Sequence, residues 1–150
     1  KDPIVEIFAY GENLFCQSAK QTDDLDTAMF IMKSQSGILC HINNSRRAFY
    51  GYDQRIEILG SKGMIISDNQ TPTSIKKFNK DMTKAEIPIY YFFQERYDQA
   101  YKHQLNIFID CIINNKPTLV NFEDGRIALI IANAAYESLN TGKSVKIKYY

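Results

Sequence analysis

The amino-acid sequence predicts an α+β fold: an open, predominantly antiparallel mixed β-sheet with helices packed on one face. Two observations carry that prediction. Over the first two thirds, apolar and polar side chains alternate in short runs divided by turn residues, the period of strands. Over the last third, the apolar spacing changes to steps of three and four, the period of an amphipathic helix. The 150 residues suffice for one domain with a substantial core, and no low-complexity linker suggests a second.

The elements follow in order. PIVEIFAY at 3–10 alternates as a half-buried strand does. DTAMFIMK at 26–33 and GILCHINN at 37–44, joined by Ser34, Gln35 and Ser36, read as a hairpin. YDQRIEIL at 52–59 alternates again, and Gly60-Ser61-Lys62-Gly63 turns it into GMIIS as a second hairpin. TSIKKFN at 73–79 reads as an edge strand whose lysines discourage stray pairing. Phe93, Tyr97, Tyr101, Leu105, Phe108 and Ile112 lie on one face of a helix expected over 92–114, ending before Pro117. A second helix is expected from Glu123 to Leu139, with its acids at the positive end and Gly142 as a left-handed cap. SVKIKYY at 144–150 closes the chain as a strand. The run from Met29 to Met32 is nearly all apolar, so both sheet faces should be covered in part. Self-association through the open face is the expected means.

Composition excludes several classes. Eighteen basic against seventeen acidic residues leave a net charge of +1, which argues against partners bound through bulk charge, nucleic acid and anionic membrane alike. No apolar run approaches the roughly 20 residues needed to cross a bilayer. No signal peptide is evident and position 1 is Lys, so a cytoplasmic protein and a fragment or processed chain are expected. Cys16, Cys40 and Cys111 lack metal-ligand spacing and read as reduced core thiols. His41 and His103 have no ligand partners nearby in sequence, so no metal site is expected. Asp23, Asp24 and Asp26 read as a solvated loop.

The segment NSRRAFYGYDQRIEILGSKG holds the candidate binding residues. Tyr50 and Tyr52 are separated by one glycine, so an extended backbone would aim both rings the same way. They could give a ligand an apolar wall with two hydroxyl donors, or pack in the sheet with their hydroxyls at the surface. Arg46, Arg47, Asp53 and Arg55 could face a ligand; for Asp53 and Arg55, placed inside a strand, structural pairing is the expectation. Asn43, Asn44 and Ser45 are expected to cap the loop. Tyr97 and Tyr101 share a helical face, with Arg96 beside them. No GxGxxG opens a helix after a strand, so this chain is not expected to bind a dinucleotide by itself.

Four blocks in order carry a resemblance: VEIFAYG, then DDLDTAMFIMKSQSGILCHINNSRRAFYGYDQRIEILGSKGMI, then FFQERYDQAYKHQLNIFIDCI, then EDGRIALIIANAAYESLNTGKSVKI. Together they resemble the C-terminal, dihydrodipicolinate-reductase-like domain of the glucose-fructose oxidoreductase, inositol dehydrogenase and MocA family. The second and third blocks look most like its inositol 2-dehydrogenases. The resemblance implies an enzyme in two parts, whose N-terminal dinucleotide-binding domain is absent from this chain and binds NAD or NADP. It implies hydride transfer between that cofactor and a sugar or polyol hydroxyl. The family's catalytic lysine and Asp-x-x-x-His helix lie upstream, so no catalytic residue is expected here and the chain alone should be inactive. Tyr50 and Tyr52 match residues at the inositol pocket, and Tyr97 one that reaches the cofactor's edge. Gln104 departs from the family, which usually has glutamate there. The alternatives are the same chemistry on another sugar or polyol, or a non-catalytic sheet module that binds a protein partner.

Overall fold

The structure, a computed structural model, describes residues 2–149. The chain divides into two compact units, Lys1–Arg47 with Pro117–Tyr150, and Ala48–Lys116. All strand pairs among the described residues are antiparallel.

The first unit contains β1 (Ile4–Glu12), a short helix α1 (Gln17–Gln21), β2 (Thr27–Ser34) and β3 (Leu39–Ser45). The chain returns to it as α3 (Phe122–Thr141) and β8 (Val145–Lys146). Its sheet runs in the order β3-β2-β1-β8. The register sets the core: Ile7 lies opposite Met32 and Ala9 opposite Phe30, so period-two alternation brings all four to one face. Ala134, Ala135, Ile131 and Leu139 of α3 pack there. The small residues Ala9, Ala134 and Ala135 let the helix approach the sheet closely. Ser138 is fully buried and links both layers: its hydroxyl accepts from the Ala9 N–H at 3.0 Å and donates to the Lys143 carbonyl at 2.6 Å.

Helix α3 begins one residue before the expected Glu123 and ends two after Leu139. Asn121 starts it, its side chain accepting from the Glu123 and Asp124 N–H groups at 2.9 and 3.2 Å, while Asp124 accepts from the Asn121 N–H at 3.0 Å. Gly142 ends it at φ 65°, the left-handed cap expected of that glycine.

The other sheet face bears Phe8 opposite Ile31 and Tyr10 opposite Met29, with His41 and Asn43 next in the same rows on β3. These side chains line an open groove of about 340 Å³. Met29 and Ile31 are 60% and 61% exposed there. The fold is thus α+β with one helix-covered and one open sheet face.

The second unit contains two hairpins and the longest helix. They are β4 (Ile56–Gly60) with β5 (Gly63–Ser67), β6 (Lys76–Asn79) with β7 (Met82–Glu86), and α2 (Phe93–Ile113). The strand expected over 52–59 is shorter, beginning at Ile56. The preceding main-chain donors are taken elsewhere: the Tyr52 N–H by the Tyr90 carbonyl at 2.8 Å and the Gln54 N–H by Asn69 Oδ1 at 2.8 Å. The edge strand expected over 73–79 has a partner, β7, which alternation alone did not reveal. Asn79 Oδ1 accepts from the Asp81 and Met82 N–H groups at 2.9 and 3.0 Å, closing the turn between them. The last strand is confined to Val145–Lys146, and position 150 of the expected 144–150 lies outside the described residues. Cys111 is buried and Cys16 and Cys40 partly exposed, all three as free thiols.

Candidate functional site

The candidate residues gather in the second unit, on the turn from Ala48 to Arg55. Gly51 is the pivot. Its φ of 135° is a conformation that glycine adopts and side-chain-bearing residues rarely do. A Cβ there would lie 2.3 Å from Ile89 Cγ1 and 2.9 Å from the Tyr90 carbonyl oxygen. The backbone is therefore a turn rather than the extended run expected of Tyr-Gly-Tyr, and the two rings take different surroundings.

Tyr52 turns toward α2. Its ring meets Tyr97 edge-on at 5.7 Å and Phe93 at 6.5 Å, and Tyr97 in turn meets Tyr101 at 6.1 Å. Contacts of this kind hold rings in fixed orientations. Burial, with Tyr52 as its next neighbour, raises the Tyr97 phenol above its ordinary value, so it remains a neutral hydroxyl. Arg96 lies 5.8 Å from the Tyr97 ring centre, with its Nε buried and unpaired among the described residues.

Tyr50 remains exposed and turns to Asp53, to which its hydroxyl donates. Arg55 grips the same carboxylate through Nε and Nη2 at 2.8 and 2.9 Å, and Asn69 Nδ2 donates to it at 2.6 Å. The Arg55 guanidinium, aided by Tyr50 and Asn69, outweighs the cost of burial and holds the Asp53 carboxyl well below the usual carboxylate range. The same hydrogen bond raises the Tyr50 phenol, because losing its proton would face two anions together. Pairing of Asp53 with Arg55 was expected, but from within a strand. In the structure both precede β4, and Asn69, absent from the sequence reading, completes the cluster.

The remaining candidates lie elsewhere. Arg46 pairs with Asp24, and the Arg47 guanidinium lies 4.6 Å from the Phe15 ring centre. Asn43 and Asn44 belong to β3 rather than to a capped loop, while Ser45 Oγ accepts from the Arg47 N–H at 3.2 Å. His41 and His103 are both exposed, on β3 and α2. The acidic loop is not simply solvated, since Asp26 is buried and accepts from the Leu14, Phe15 and Cys16 N–H groups at 3.1, 2.8 and 2.7 Å. No group of three potential metal ligands gathers among the described residues. No helix there is long and apolar enough to cross a membrane.

Gly60 and Gly63 close the β4–β5 hairpin instead of opening a helix. The N-termini of the two long helices already hold their own carboxylates, Glu95 on the Tyr91 and Phe92 N–H groups and Asp124 on Asn121.

The chain is an α+β domain with a half-open sheet in one unit and an aromatic and carboxylate cluster in the other. Residues 3–147 match the oxidoreductase family, C-terminal alpha/beta domain, and the chain belongs to that family. It is 40% identical to the myo-inositol 2-dehydrogenase of Thermotoga maritima over 98% of its length, and 30% identical to the scyllo-inositol 2-dehydrogenase (NAD(+)) of Bacillus subtilis over 96%. A myo-inositol dehydrogenase from Corynebacterium glutamicum, known from a crystal structure, superposes with a TM-score of 0.90 at 44% identity, covering 97% of this chain and 44% of that one. The chain spans 44% and 42% of the lengths of the two curated relatives.

Proposed function

We propose that this chain is the substrate-binding and self-associating part of an NAD-dependent oxidoreductase that acts on inositol. The observation that carries the reading is the Tyr50, Tyr52 and Tyr97 set, fixed by Gly51 and α2 and backed by the Asp53 carboxylate. A ring of hydroxyls needs apolar faces for its C–H groups and directed partners for its O–H groups, and this set offers both. Tyr50 and Tyr52 bind the polyol, and Tyr97 meets the edge of the nicotinamide cofactor. The similarity to inositol 2-dehydrogenases, one named for NAD+, supports the choice of substrate and cofactor.

The residues described here bind and orient, and NAD, bound elsewhere, supplies the hydride acceptor. Nothing in the cluster is poised to take a proton. Asp53 is saturated with donors, and the Tyr50 and Tyr97 phenols are both shifted away from ionisation. Chemistry is thus assigned to chain beyond these 150 residues, and the isolated chain is inactive. The open face with Met29 and Ile31 is the self-association surface.

The test is NADH formation from inositol isomers by the full-length enzyme. Tyr52→Phe should lower kcat/KM for inositol by about 0.5–1.5 kcal/mol of transition-state binding. Unchanged kcat/KM on every isomer and hexose tested would remove Tyr52 from the site, and turnover by the isolated chain would refute the division of labour.

A further inference from the structure

We propose that Asp53 is a positioning residue that makes the Tyr50 phenol a hydrogen-bond acceptor, so that this site selects a ligand hydroxyl able to donate. The inference rests on the polyol reading above and adds the polarity of one contact to it.

The direction of each hydrogen bond in the cluster is fixed by chemistry. An ionised carboxylate has no proton to give, so between Tyr50 and Asp53 the phenol must donate. That uses its only proton, and the 59% exposed Tyr50 has only lone pairs to offer a ligand. Donation into an anion also raises the electron density on the phenol oxygen, which makes it a stronger acceptor.

The carboxylate cannot readily reverse this arrangement. Arg55 binds it through two nitrogens, which fixes its plane. Asn69 cannot flip its amide to present an oxygen, because its Oδ1 accepts the Gln54 N–H at 2.8 Å while its Nδ2 donates to Asp53 at 2.6 Å. With a side-chain exposure of only 16%, Asp53 is largely screened from direct ligand contact and acts through Tyr50. The sequence suggests two phenolic donors; the geometry makes one of them an acceptor.

The experiment uses the full-length enzyme and the series of monodeoxy-monofluoro-inositols, in which fluorine accepts weakly and cannot donate. At the ring position facing Tyr50, the kcat/KM ratio of inositol to its fluoro analogue should fall roughly two- to tenfold in Tyr50→Phe. Asp53→Asn should lower the same ratio, since a carboxamide can donate to the phenol and turn its proton outward. A role confined to folding would depress both substrates together and leave the ratio unchanged. Tyr50→Phe removes one exposed oxygen, so it remains informative even if Asp53→Asn fails to fold. Ratios unchanged at every ring position in Tyr50→Phe, with inositol still turned over, would overturn the inference while sparing the substrate reading. No turnover of any inositol by the wild-type enzyme would mean that the substrate reading had failed, and this inference with it.

Discussion

The two units use apolar residues in opposite ways. In the first, Ile7, Ala9, Met32, Ala134 and Ala135 form a buried cluster between sheet and helix. In the second, only Gly51 and Cys111 are buried among the described residues, while Phe49, Leu59, Ile65 and Ile113 are largely exposed. The carboxylates divide in the same way. Asp26 of the first unit is satisfied chiefly by main-chain N–H groups and fixes a loop. Asp53 of the second is satisfied by the side chains of Tyr50, Arg55 and Asn69 and fixes a surface. The first unit has a buried core beside its open sheet face, whereas the second turns most of its apolar side chains outward.

The largest effect expected from this contrast is at Ile7. Ile7, 1% exposed, should lose about 2–5 kcal/mol as Ile7→Ala, because the helix and sheet cannot both close the void. Ile58 is the same residue type in β4, 59% exposed, and Ile58→Ala should stay within about 0.5 kcal/mol if its face is solvated. Urea unfolding of both variants in the full-length enzyme reads the comparison directly. Similar losses would mean that β4 is covered in the assembled protein and that the contrast belongs to this chain alone.

Ser138→Ala comes next. It leaves the Ala9 N–H and the Lys143 carbonyl without their partner at a fully buried position, at a cost of about 1–3 kcal/mol. Cooperative unfolding at an unchanged midpoint would show that water replaces the hydroxyl, and that the first unit is less tightly closed than its burial indicates.

The parts that could be read from the sequence are those written in periods and caps. Alternation found β1, a short polar link between two apolar runs found β2 and β3, three- and four-residue spacing found α2, and Gly142 marked the end of α3. Long-range side-chain to main-chain bonds leave no periodic trace, so Asp26, whose partners lie ten to twelve residues upstream, passed for a surface acid. Strand β7 (MTKAE) has weak strand composition and was set by the Asn79 turn. Tyr50 and Tyr52 were identified as candidates, but their divergence depends on the φ of Gly51. A glycine wedged between two bulky rings was the available signal, since a plain strand has no need of one.

The smallest expected effect is a pH dependence that separates the two carboxylates. Burial would raise the Asp26 carboxyl, but the N–H groups of Phe15, Leu14 and Cys16, with the Thr27 hydroxyl, outweigh it together and hold the pKa down to about 2 against an ordinary 3.8. A carboxyl whose folded pKa is depressed binds its proton more readily in the unfolded chain. Its stabilisation is therefore complete above about pH 4 and drains away as pH falls toward 2. Asp26→Asn should lower Tm at neutral pH, and the gap from wild type should close across that window in thermal melts. Asp53→Asn, on an exposed turn outside the buried core, should change Tm less at neutral pH while changing ligand preference more. If Asp53→Asn instead proved the more destabilising of the two at neutral pH, the second unit would depend on its surface cluster for folding, and the contrast between the two carboxylates would fail.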